Sequence, residues 1–246
     1  MGTSSRTGGG RTTTTAAAAL LALSTGVWLL TEGAASTPPP QPSAAEGFAA
    51  GRPRPAPSPA AAAPLPPSEP VRVTVPSVRI DAPLMRLGLA ANGSLGVPPD
   101  KDTNLAGWYA DGTAPGARGT ALIAGHVDNR AGPAVFYRLG SLKKNDTVRI
   151  LRRDGRTAVF GIDAVEVYDG RDFPDHKVYG PARRSELRLI TCGGGFDKKA
   201  QEYLGNVVVF AHLTGSRNPA PAGRARPART PAPPWLSGLR TVPPPD

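Results

Sequence analysis

Residues 187–195 read Leu187-Arg188-Leu189-Ile190-Thr191-Cys192-Gly193-Gly194-Gly195. The apolar stretch has the length and composition of a strand, and the triple glycine is expected to break it directly after the thiol. Cys192 is then placed at a strand end, where a side chain can be reached. It is also the one cysteine of the 246-residue chain. Arg188, four residues earlier, falls on the same strand face by the two-residue period.

Outward from this stretch, the chain between about 71 and 216 reads mostly as further strands. Val71 to Val75 alternates, and Ser77 to Ile80 is read as its continuation after Pro76. Ala82 to Leu89 follows, closed by an Asn92-Gly93 turn. Gly119 to Ala124 has the pattern of a buried strand ending at Gly125-His126. Thr147 to Leu151 and Arg156 to Val167 flank Asp154-Gly155, a hairpin signal. Asn206 to Leu213 closes the series. Only Ala134 to Leu139 looks helical, for a turn or two. Short, closely spaced strands with few helices predict a mainly β domain, a barrel or a sandwich.

The flanks set the compartment. Residues 1–13 carry Arg6 and Arg11 and no acid, a basic N-terminus expected on the cytoplasmic side. Residues 14–30, TTAAAALLALSTGVWLL, are uncharged and at the short edge of a membrane-spanning helix. They predict a single-pass signal-anchor in the cell membrane, with the rest of the chain extracellular. A cleaved signal peptide, with Gly33 to Ser36 as the small-residue site, is the competing reading. Residues 31–70 are rich in Ala and Pro and predict a disordered spacer. Residues 217–246 predict a disordered Pro- and Arg-rich tail, which supplies part of the formal net charge of +10. That charge is not interleaved with aromatic residues, and an exported chain is a poor partner for nucleic acid.

An exported protein usually pairs its cysteines, so a lone thiol points to reactivity or to an intermolecular bond. His126, at a second strand end, is the natural partner. An imidazole raises the thiolate fraction and can hand a proton to a leaving amine. His176, in an expected loop after Phe173-Pro174-Asp175, and His212, within a strand pattern, are rivals for that place. One cysteine and three scattered histidines make a weak zinc set, and no metal site is predicted.

The ordered set Gly125-His126-Val127-Asp128, Gly132-Pro133-Ala134-Val135-Phe136, Leu139-Gly140, Thr191-Cys192-Gly193-Gly194, Phe196-Asp197 and Asn206 to Ala211 resembles the sortases, and among them the actinobacterial class F group. The resemblance spans about residues 71–214. It implies a single closed barrel of about eight strands with one or two short helices. It also implies a membrane-anchored cysteine transpeptidase that needs no cofactor. Cys192 would be the nucleophile, and His126 the general acid and base. The partners implied are exported proteins bearing an LPXTG-like sorting signal and an amine acceptor, such as a peptidoglycan precursor or a pilin lysine. Thr191 and Arg188 would bind substrate. Some sortases use calcium, but no acidic cluster here argues for it.

One departure from the family pattern concerns the arginine that sortases carry about a dozen residues after the cysteine. No arginine follows Cys192 before Arg217. Asn206 occupies about the missing position and is the candidate oxyanion donor, with Arg188 as the second. A turn at Gly205-Asn206 is the plain structural alternative. Two other functions compete with the leading one. An L,D-transpeptidase also uses Cys and His outside the cell, but its Ser-His-Gly-Cys signature is absent. A catalytically weak barrel that binds wall polymer or protein would account for the missing arginine and the basic tail.

Overall fold

The computed structural model describes residues 37–49, 59–91 and 93–218. The expected basic N-terminus, the 14–30 segment and nearly all of the 217–246 tail lie outside the described residues. Among those described, no helix is long and apolar enough to cross a membrane.

The strands are β1 (Pro70–Val75), β2 (Ile80–Leu87), β3 (Ala106–Tyr109), β4 (Gly119–Gly125), β5 (Asp128–Asn129), β6 (Gly132–Pro133), β7 (Thr147–Arg152), β8 (Thr157–Asp169), β9 (Ser185–Asp197) and β10 (Glu202–Arg217). A short helix, α1 (Asp175–Tyr179), lies between β8 and β9. Eight strands close a barrel in the order β1-β2-β3-β4-β9-β10-β8-β7, and β5 and β6 form a separate two-stranded hairpin. The fold is therefore the mainly β closed barrel that was expected. Two of its pairs, β2–β3 and β4–β9, are parallel, and the others are antiparallel.

Alternation along the strands builds two apolar layers. Side chains such as Val73, Ile123, Phe160, Leu187, Leu189 and Val209 fill the barrel interior and are almost wholly buried. On the outer face, Leu122, Ala164, Ile190, Val208 and Phe210 form a second cluster with Val178 of α1. Lys177 of α1 lays its ammonium over the rings of Phe48, Tyr168 and Phe210, at 4.8, 5.3 and 5.6 Å. Such contacts hold a charge while its aliphatic stem covers apolar surface.

Three local expectations differ from the structure. Ser77 to Ile80 does not continue β1. Pro76–Val78 forms a 3-10 turn, and Arg79 takes a left-handed φ of 59°. The chain thus reverses, and β2 pairs antiparallel with β1. The segment read as helical forms turns, with a 3-10 helix only at Leu139–Ser141. The triple glycine does not end β9, which runs on to Asp197 because it stays paired with β10. Gly194 and Gly195 sit at φ of 77° and 99°, values that other residues rarely adopt, so the strand twists there without stopping.

Within the stretch expected to be a disordered spacer, residues 40–49 and 59–69 make contacts with the barrel. Ala62 N–H donates to Leu213 O at 2.8 Å, and Leu65 N–H to Gly116 O at 2.8 Å. The buried guanidinium of Arg152 donates to Pro66 O and to Asp154 at 3.0 Å. Glu46 accepts from Lys144 N–H at 2.8 Å, and Phe48 meets Phe210 edge-on at 5.0 Å. Prolines lack an N–H but keep a carbonyl, so a Pro-rich segment can still satisfy donors on the barrel wall.

Candidate active site

The end of β4 and the middle of β9 form the site. Their parallel register sets Ala124 beside Ile190. That is the last registered pair; His126 follows it by two residues, just past β4, and Cys192 by two on β9. Cys192 belongs to the outer face of β9, in line with Arg188 and Ile190. Thr191 locks the two strands together. Its hydroxyl donates to Gly125 O at 2.8 Å, and it is buried. Thr191 is thus a strut between the strands, and its hydroxyl is spent on that bond.

His126 is held on three sides. Its backbone carbonyl accepts from Phe136 N–H at 3.0 Å. Its Nε2 lies 2.7 Å from Pro98 O and 3.9 Å from an Asp100 carboxylate oxygen. A carbonyl only accepts, so Nε2 carries the proton in that bond, and the lone pair of the neutral ring is on Nδ1. Gly125 has no room for a side chain. A Cβ there would stand 2.8 Å from the side chains of both Phe136 and Val135. The glycine lets the 133–138 segment press against the histidine loop and fix its course.

Cys192 is exposed and unpaired. Its surroundings push the thiol pKa up, first by burial and then through the Asp128 carboxylate, while a backbone hydrogen bond pulls the other way. The thiol therefore rests protonated and needs a base before it can react.

Asn206 lies within β10 and is no turn residue. It is the direct cross-strand partner of Cys192 on one side and of Tyr168 on the other. Directly opposed residues of an antiparallel pair share a face, so the amide stands beside the thiol. Its Nδ2 donates weakly to Thr191 O at 3.4 Å. Arg188, by contrast, is not brought to the site. Four residues of strand separate its Cα from that of Cys192 by about 13 Å. Its guanidinium is buried, bonded to Glu186 at 2.7 Å and stacked on Phe210 at 4.5 Å. Burial alone would push the Glu186 carboxyl up, but the hydrogen bonds from Arg188 and Arg184 outweigh it and hold the group below its ordinary value.

The rival histidines stand elsewhere. His212 is buried on the barrel wall, with Nδ1 on Asp163 at 2.8 Å and Nε2 on Pro59 O at 2.8 Å. His176 is exposed on α1. Among the described residues, no group of three or more His, Cys, Asp or Glu side chains is placed to hold a metal ion. Two residues near the thiol carried no role in the sequence reading: Asp128, whose carboxylate acts on Cys192, and Tyr203, which donates to Asp128. They lie 75 positions apart, and no spacing signal joins them.

The Sortase domain family matches residues 73–214, more than half of the chain. The chain belongs to the sortase family. Sortases are cysteine transpeptidases, and the one thiol of this sortase is Cys192. A comparison with curated protein sequences returns no match. Solved structures that the chain resembles include sortase A of Listeria monocytogenes, at 16% identity and a TM-score of 0.47, over 62% of this chain and 92% of that one. A lid mutant of sortase A from Corynebacterium diphtheriae matches at 18% identity and 0.46, over 61% and 73%. Sortase C-1 of Actinomyces oris matches at 18% and 0.46, over 60% and 76%.

Proposed function

We propose that this sortase is a membrane-anchored enzyme of the class F type that cleaves an LPXTG-like sorting signal on exported proteins and passes the acyl fragment to an amine. The 14–30 segment is the anchor in this reading, and the barrel lies outside the cell. The observation that supports the chemistry is the β4–β9 register, whose last pair, Ala124 with Ile190, lies two residues before His126 and two before Cys192.

The reaction runs in two halves. His126 takes the thiol proton as Cys192 Sγ attacks the Thr–Gly carbonyl carbon of the signal. The C–N bond breaks, His126 returns the proton to the departing glycine amine, and the acyl group remains on sulfur as a thioester. An amine of a peptidoglycan precursor or of a pilin lysine then attacks the same carbon. His126 accepts its proton, the C–S bond breaks, and the thiol is regenerated. The protein needs no organic cofactor or metal for any of these steps.

Negative charge on the carbonyl oxygen in both tetrahedral states calls for a donor. Asn206 fills that role through Nδ2, which can turn from Thr191 O toward the oxyanion. Removing one such donor costs about 10²–10³ in kcat. Asn206→Ala is expected to lose turnover in that range with little change in KM. Unchanged kcat would take Asn206 out of the mechanism.

The reading is tested by incubating the protein with an LPXTG-type peptide without an amine and measuring its intact mass. A mass gain equal to the acyl fragment, absent when Cys192 is blocked beforehand, is the expected outcome. A peptide left intact, with no adduct at any pH, would reject it and favour a barrel that only binds.

A further inference from the structure

The two halves of the reaction employ Cys192, His126 and Asn206. They make no use of the bond that joins the loops on which the first two residues sit. Asp128 lies two residues after His126, in the β5–β6 hairpin, where it pairs with Pro133. That hairpin is braced by Asn129, whose Nδ2 donates to Asp100 O at 2.6 Å and whose Oδ1 accepts from Ala131 N–H at 2.8 Å. Tyr203 lies on β10, in the part of the β9–β10 hairpin that projects past Cys192. Its cross-strand partner is Phe196, and the two rings meet edge-on at 5.1 Å. The Tyr203 hydroxyl donates to Asp128 Oδ2.

We propose that Asp128 and Tyr203 are positioning residues, whose hydrogen bond clasps the histidine loop to the cysteine hairpin and sets how Cys192 and His126 face one another. The inference rests on the transpeptidase reading of the site. The need for a clasp follows from the backbone on either side. His126 is one residue past the end of β4, and the last registered pair of β4 and β9 is Ala124 with Ile190. On the other side, Cys192 is followed by three glycines, two of them at positive φ. The ladder that aligns the two strands thus gives out just where the reacting groups begin. A bond from one residue beyond His126 to one residue on the cysteine hairpin restores the missing constraint.

The clasp also brings charge to the thiol. The titratable groups that face it are Asp128 from β5 and Tyr203 from β10, and Tyr203 in turn faces Tyr137 from the segment after β6. Burial and then Asp128 push the thiol up, and burial and then the Asp128 bond push the Tyr203 hydroxyl up. A clasped carboxylate therefore keeps the resting thiol protonated and leaves its activation to His126.

Because the chain has one cysteine, the pH dependence of its alkylation by iodoacetamide reports Cys192 alone, whether or not a sorting signal is turned over. Asp128→Asn removes the negative charge, so the alkylation midpoint should move to lower pH. The rate at neutral pH should then rise about threefold or more. Tyr203→Phe removes the donor and keeps the ring on Phe196. It should lower kcat about tenfold with KM little changed. Adding Asp128→Asn to Tyr203→Phe should cost no further turnover, because one bond is lost once. An unmoved midpoint in Asp128→Asn would overturn the proposal, and so would independent, multiplying losses for the two changes. A lowered Tm with an unmoved midpoint would reduce the bond to a structural tie. Were the wild-type protein to show no acyl adduct, the transpeptidase reading would fail while the alkylation cycle still decided the clasp.

Discussion

Cys192→Ala is expected to bring cleavage of a fluorogenic LPXTG-type peptide down to the uncatalysed background. The loss should be on the order of 10⁵–10⁶-fold in kcat, as for other nucleophiles that form covalent acyl intermediates. The size of the effect follows from the mechanism. Without sulfur no thioester forms, and neither half of the reaction has a path. No second thiol can stand in, because the chain has none. The fold should be untouched, since Cys192 is exposed and packs in neither apolar layer. The check is a rate with peptide and amine, alongside a Tm equal to that of the wild type. Full activity in the alanine variant would remove Cys192 from the chemistry altogether.

His126→Ala should cost about 10²–10⁴-fold, the usual contribution of a positioned acid and base. Both halves need a proton moved at Nδ1 or Nε2, and the thiol is held protonated by burial and by Asp128. The loss should therefore appear at neutral pH and shrink as the pH rises, because hydroxide can then deprotonate the thiol without help. Free imidazole in the buffer should restore part of the activity. The double variant with Cys192→Ala should be no worse than Cys192→Ala alone, because the two groups act as one unit. Turnover equal to wild type in His126→Ala, across the pH range, would assign the base elsewhere.

Most of the barrel was legible in the chain because its strands are apolar segments bounded by turn residues. Thr147 to Leu151 carries the two-residue period of one buried face, whereas Leu187 to Thr191 and Val207 to Leu213 are near-continuous runs buried on both faces. β3 escaped because four residues, Ala106 to Tyr109, are too few to show a period. The reversal at Pro76 escaped because it depends on Arg79 taking a left-handed conformation, which a non-glycine residue does not advertise. The Pro-rich segment was read by its side chains, which bury little. What binds it to the barrel is carbonyl oxygen, as at Pro59 on His212 and Pro66 on Arg152.

The site was legible where it follows strand ends and illegible where it depends on contact across the fold. His126 and Cys192 stand out because each ends a buried-type run next to glycine. Arg188 shares the face of Cys192 by period, but the period says nothing of Glu186 and Phe210, which capture its guanidinium. Thr191 stands next to the nucleophile in sequence, yet the alternation turns it to the opposite face, where Gly125 O takes its hydroxyl. Asp128 and Tyr203 meet only because two hairpins lean toward each other.

The docking of residues 40–49 and 59–69 on the barrel moves the boundary of the folded unit upstream of β1. A domain cut at Pro70, where the Pro-rich composition ends, would leave His212 Nε2 without the Pro59 carbonyl and the Arg152 guanidinium without that of Pro66. Both side chains are buried, and an unsatisfied buried donor costs about 1–3 kcal/mol. The Pro-rich stretch is thus part of what keeps the barrel folded.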